Sequence, residues 1–165
     1  MIAAAIAILE QDSDGYFLVG NEEASDNLAG ENNAAALIEA GAGADRAIAA
    51  AQAAAARNPN LTVVVASDSD CGGVQASGDD AVAGMRVRPR NENGAPEDGN
   101  GRVPFLAAPD ANGVRHPFTV RWASGGDNSG AIVARGLGPG AQVIHGTIDS
   151  TAIYQALHLG LFGPQ

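Results

Sequence analysis

No lysine occurs in this chain, so all nine basic residues are arginines, set against 19 Asp and Glu for a formal net charge of −10. That balance excludes a continuous cationic track along phosphates, and with it a nucleic-acid partner. It suits a cation-binding surface, or an acidic extracytoplasmic or salt-adapted protein. With Cys71 as the single cysteine, no intramolecular disulfide can form and thiols say nothing of the compartment. No run approaches the roughly 20 apolar residues of a membrane span, and the start MIAAAIAILEQ lacks the basic stretch of a signal peptide. Neither a membrane partner nor an export address is therefore expected from these residues. The 165 residues suffice for one ordinary core, so a single domain is the default.

The most informative segment is an apolar run, Leu61 to Ala66, leading straight into Ser67-Asp68-Ser69-Asp70-Cys71-Gly72-Gly73. Two carboxylates at the carboxyl end of a buried strand, on a turn freed by two glycines, form an oxygen-rich crevice. Such crevices hold cations and phosphate groups in α/β proteins. Upstream, Ile2 to Glu10 reads as a short helix, and Tyr16 to Val19, too short for a helix and bounded by glycines, as a buried strand. Residues 20–33 are acidic and amide-rich. Ala34 to Arg57 is a helix with Gly41 and Gly43 marking a weak point, ended by Asn58-Pro59-Asn60. Strand, helix, strand predicts a βαβ unit and hence a parallel sheet with a right-handed crossover.

Downstream, Asn91 to Arg102 is a polar Gly/Asn/Pro stretch that reads as an exposed loop or insertion. Phe118 to Ala123, Ala131 to Arg135 and Gln142 to Gly146 read as short strands. Ser150 to Leu161 reads as a helix with Ile153, Leu157 and Leu161 on one face. Asp68, Asp70, Gly73 and Asp79 occupy four positions of an EF-hand loop, yet a strand enters it and Gly72 stands where a ligand belongs. Gly136-Leu137-Gly138-Pro139-Gly140 carries a proline and no following helix, against a dinucleotide loop. Ser124 lacks the frame of a hydrolase elbow.

Five segments in order, FLVGNEEASDN, GADRAIAAA, LTVVVASDSDCGG, RWASGGDNSGAIVARGLGPGA and IDSTAIYQAL, resemble the carboxyl-terminal portion of alkaline phosphatases. The resemblance covers nearly the whole chain. It implies part of a three-layer αβα sandwich around a mostly parallel sheet. It also implies metal-dependent phosphomonoester hydrolysis on a phosphate ester substrate, and a periplasmic or extracellular location. Asp26 falls on one zinc-ligating aspartate and Asp68 on the other. The zinc-binding histidines are replaced: Ser69 stands after the second aspartate, Asp127 in the GGHTG motif, and Gly30 four residues beyond Asp26. Asn21 takes the place of a magnesium-binding glutamate, with Glu22 and Glu23 beside it.

Exchanging imidazoles for carboxylates, hydroxyls and amides makes the implied site harder. It favours Ca²⁺ or Mg²⁺ over the family's Zn²⁺. Asp26, Asp68, Asp127, Asn21, Glu22, Ser69 and Asp70 are therefore the candidate metal ligands. Asp68 and Asp70 could equally cap the turn, Glu22, Glu23 and Asp26 a helix, and Asp127 could simply form a turn. Cys71 reads as a small hydrophobe or, if exposed beside a metal, a reactive thiol. The family's nucleophile segment has no counterpart, so the chain is expected to supply ligands alone. It would work with the amino-terminal part of the enzyme or with a partner in a homo-oligomer. A catalytically silent scaffold or a calcium-binding module are the other readings.

Overall fold

A computed structural model describes residues 1–78, 81–91 and 93–163. Asp79 and Glu92 lie outside the described residues. Among the described residues, α1 (Ile2–Leu9), α2 (Ala24–Gly30), α3 (Ala34–Arg57) and α4 (Thr151–Phe162) accompany eight short strands. The strands are β1 (Val63–Val65), β2 (Asp70–Cys71), β3 (Gln75–Ser77), β4 (Glu97–Asp98), β5 (Phe105–Leu106), β6 (Pro117–Arg121), β7 (Asp127–Asn128) and β8 (Arg135–Leu137). None of the described helices is long and apolar enough to cross a membrane.

The chain divides into two compact units. One comprises Met1–Asn21, Ala42–Asp68 and Ile132–Gln165; the other comprises Glu22–Gly41 and Ser69–Ala131. In the first, β1 pairs antiparallel with β8 through Val63↔Leu137, Val64↔Gly136 and Val65↔Arg135. Helix α4 approaches closely because Gly140 and Gly160 carry no side chain: a Cβ on Gly140 would strike the Ala156 carbonyl, and one on Gly160 would strike Thr62. The Thr62 hydroxyl donates to the Pro139 carbonyl and holds the same corner. Arg57 pairs with Glu10 at 3.9 Å.

In the second unit β6 is central, flanked by β3 and β4 and joined by β5, all antiparallel. Its Val120 and Trp122 are buried with Ala29 and Ala34, and Leu37, Cys71, Phe105 and Phe118 pack around them. The Phe105 and Phe118 rings stack at 5.3 Å. Asn33 and Asp98 together begin α3: the Asn33 side chain accepts from Ala36 N–H at 3.2 Å and Asp98 from Ala34 N–H at 2.9 Å. These bonds satisfy donors that a helix start leaves without partners.

Several expectations are corrected. Tyr16–Val19 forms no strand; Phe17 and Val19 are exposed, and no neighbouring strand completes a ladder there. The parallel βαβ unit is thus absent among the described residues, where every strand pairing is antiparallel. Helix α3 runs through Gly41 and Gly43 without a break. Gln142–Gly146 is no strand, because Gly140, at φ 83, turns the chain into a 3-10 helix over Ala141–Val143. Within the polar stretch 91–102, Glu97–Asp98 form β4 and residues 95–99 are half-buried or buried.

Candidate metal centre

The site grows out of a two-residue ladder. Strand β2 pairs antiparallel with β7 so that Cys71 faces Asp127 and Asp70 faces Asn128. Directly opposed residues share a face and successive residues alternate, so this register puts Cys71 and Asp127 together. The Asn128 side-chain amide pins the pairing. It donates to the Asp70 carbonyl and the Ser124 hydroxyl at 3.0 Å, and to the Gly126 carbonyl at 3.2 Å. Gly72 N–H donates to the Gly126 carbonyl at 3.0 Å, and Ala123 N–H to the Gly72 carbonyl at 2.8 Å.

Gly72 is required here on two grounds. Its φ of 75 lies in the left-handed region, and an added Cβ would sit 2.9 Å from both the Ala29 carbonyl oxygen and Cε3 of Trp122. Trp122, 2% exposed, thus backs the turn that carries Cys71.

Helix α2 delivers the third group. Its first turn is capped by Glu22, whose carboxylate accepts from Ala24 N–H at 2.9 Å and Ser25 N–H at 3.1 Å. The Ser25 hydroxyl above all, with these two amides, holds the Glu22 carboxyl below the usual range, against the opposing effect of burial. One residue beyond Ser25, Asp26 stands in the first turn. The other end of α2 is fixed by Asn32, at φ 54, whose amide donates to the Ala29 and Ser124 carbonyls at 3.1 and 2.8 Å. The loop carrying Asp127 is thereby tied to the helix carrying Asp26.

Asp26, Cys71 and Asp127 converge, with one potential ligand atom from each lying within 4.8 Å of the others. Both aspartates are exposed and Cys71 is half-buried. The Ser69 hydroxyl donates to Asp127 Oδ1 at 3.0 Å, and the Cys71 thiol to the Asp26 carbonyl at 3.4 Å. Burial, and then the two neighbouring aspartates, push the Cys71 thiol up to about 11. Two carboxylates converge here on a thiol, with a hydroxyl orienting one of them, a donor set that could hold a cation.

Of the seven candidate ligands, Asp26 and Asp127 meet in this cluster and Ser69 supports it. Glu22 caps α2. Asp70 points to the opposite face of the ladder, where its carboxylate lies against Gly130. Asn21 and Asp68, both exposed, belong to the other unit and are not among the clustered residues. Cys71, outside the expected all-oxygen set, adds a sulfur to the cluster. Its partnership depends on strand register with a residue far along the chain, a signal no local motif carries. None of the three histidines is in the cluster: His116 contacts Asp110 at 3.1 Å, His145 is exposed, and the His158 ring lies tilted against those of Tyr154 and Phe162.

No protein-family model and no curated protein matches the chain. Among solved structures it is similar to the alkaline phosphatase from the Antarctic bacterium TAB5, with a TM-score of 0.67 and 21% identity over 100% of this chain and 42% of that one. It is also similar to two variants of the TAB5 enzyme, in which a histidine is replaced by aspartate or by glutamate and Mg is bound in the M3 site. Each gives a TM-score of 0.70 and 20% identity over 99% of this chain, and 40% and 41% of theirs. The chain therefore spans less than half the length of these structures. The element order, the acidic residues gathered beside short strands and the structural match together show an alkaline-phosphatase-like fold.

Proposed function

We propose that this chain provides a divalent-cation site for phosphate monoester hydrolysis, with the nucleophile supplied from outside it. The observation that carries the reading is the convergence of Asp26 and Asp127, with Ser69 bonded to Asp127, within an alkaline-phosphatase-like fold. Oxygen donors of this kind suit Mg²⁺ or Ca²⁺. The TAB5 variants with an acidic residue in place of a histidine and Mg bound support carboxylate-rich sites in this fold. Asp26 and Asp127 would hold the cation, and Ser69 would fix the Asp127 carboxylate. Asp68 and Asn21 would be donors in the first unit, while in the second Glu22 caps α2 and Asp70 lies on the other face of the ladder. A bound divalent cation supplies charge stabilisation to phosphoryl oxygens and lowers the pKa of a coordinated hydroxyl.

The remainder of the active site would come from an amino-terminal portion or a partner subunit. That portion would also complete a mostly parallel, three-layer sheet. A periplasmic or extracellular setting fits this reading and the acidic surface.

Cys71 favours a second reading of the metal. A thiolate beside two carboxylates is a borderline-soft donor set that selects Zn²⁺. Metal analysis of the active assembly decides between them. The function is tested by hydrolysis of a chromogenic phosphate monoester by that assembly. Loss of turnover on chelation and in Asp68→Ala and Asp127→Ala is expected. Cation binding with no turnover would instead identify a binding module.

A further inference from the structure

The second unit contains a cavity of about 210 Å³ lined by Met85, Val87, Arg88, Arg90, Asn91, Glu97 and Thr119. Its position is notable on charge alone. In a chain of net charge −10, the run Arg86-Val87-Arg88-Pro89-Arg90 concentrates three of the nine arginines. Two of them reach this cavity.

The wall that carries them is held on both sides by backbone bonds. Val87 N–H donates to the Arg102 carbonyl at 2.7 Å, Glu97 N–H to the Pro89 carbonyl at 3.1 Å, and Asn91 N–H to the Ala95 carbonyl at 2.9 Å. Val87 is buried, whereas Arg86, Arg88 and Arg90 are exposed. Arg90 is steadied by Nη1, which donates to the Gly94 carbonyl at 2.6 Å. Its remaining N–H groups stay available for a ligand.

The carboxylate in the lining does not neutralise these two arginines. Glu97 Oε1 accepts from Arg121 Nε at 3.3 Å and from the Thr119 hydroxyl, and so is committed to a third arginine. Among the described residues Arg88 makes no hydrogen bond or ion pair. Asn91 Oδ1 accepts from the N–H groups of Asn93 and Ala95, both at 3.0 Å, which leaves its NH₂ group as a donor. The lining thus brings together Arg88, Arg90 and Asn91, with its one carboxylate, Glu97, already paired. The cavity volume far exceeds the roughly 10–15 Å³ that a single water needs. A compact oxyanion fits both the space and the donors, since guanidinium forks match phosphate oxygens in pairs.

We propose that this cavity binds a phosphate group through Arg88, Arg90 and the Asn91 amide, at a site distinct from the Asp26–Cys71–Asp127 cluster. The site requires no cation, so it stands or falls independently of the metal reading.

The test uses the full chain stripped of metal, titrated with inorganic phosphate by calorimetry. One saturable site is expected, weakened at least about 10-fold by Arg88→Ala and less by Arg88→Lys, which keeps the charge and loses the fork. Denaturant curves of the variants should overlay the wild type, because Arg88 is exposed. Phenyl phosphate is the second arm: comparable affinity identifies an esterified phosphate as a ligand, and binding of inorganic phosphate alone identifies the free anion. Absence of saturable binding of either probe, or undiminished affinity in a folded Arg88→Ala protein, would overturn the proposal.

Discussion

Replacing Gly72 by alanine tests the link between backbone, core and candidate site in one step. Two costs apply. A residue with a Cβ at φ 75 is strained, and that Cβ would press to 2.9 Å against a backbone oxygen and against the Trp122 ring. The left-handed conformation costs roughly 1–2 kcal/mol. Overpacking a rigid neighbour adds about 1–3 kcal/mol, giving a total near 2–5 kcal/mol. Gly126, on the facing strand connection, is the control: a Cβ there meets nothing within 4 Å and its φ is not positive. Gly126→Ala should stay within about 0.5 kcal/mol of wild type or be slightly more stable. Trp122 is the only tryptophan and is buried in this unit, so its fluorescence in a urea titration reports the relevant transition directly. A Gly72→Ala midpoint matching that of Gly126→Ala would refute the packing argument.

The remaining predictions concern the cluster and its support. Asp127→Asn should lower Mg²⁺ or Ca²⁺ affinity by at least about 100-fold in calorimetry, and Ser69→Ala by about 10-fold, since the hydroxyl orients the carboxylate. Equal affinities in all three proteins would count against a cation site. Cys71→Ser should spare the binding of hard cations while weakening that of Zn²⁺, a contrast absent if the sulfur stands apart from the ligands. With its pKa pushed up to about 11 from 9.0, Cys71 is a thiol at pH 8 and should alkylate about 100-fold more slowly than in the unfolded chain; equal rates would exclude the raised value. For Glu22 the folded pKa is depressed, so its contribution is present above about 4.5 and lost as pH falls through the folded value. Glu22→Gln should thus be less stable at pH 7 by about 0.5–1 kcal/mol, and the gap should close in acid melts.

The elements best read from sequence are those whose determinants are local. Helix α3 was legible at both ends because alanine density drives it and Asn58-Pro59 stops it, although Gly41 and Gly43 do not interrupt it. Strand β6 was likewise visible as an apolar run, ending two residues earlier than expected. Tyr16–Val19 failed because hydrophobicity is no substitute for a partner strand. The candidate site was legible in part for the same reason. Asp26 and Asp127 stood out through family resemblance, whereas Asp70 and Cys71 exchange roles solely because of which of them faces Asp127 across a ladder. That choice is made by long-range pairing, and neither residue's neighbours along the chain encode it.

The ladder between β2 and β7 therefore acts as a chemical selector. Slipping it by one position would present Asp70 in place of Cys71 and turn a mixed sulfur–oxygen pocket into a purely carboxylate one. The Asn128 amide, bonded to three acceptors across the turn, is what makes one of these two alternatives permanent. The donor atoms that this face presents are in that sense set by ladder register and by the Asn128 amide that holds it, and could be exchanged without mutating residue 70 or 71.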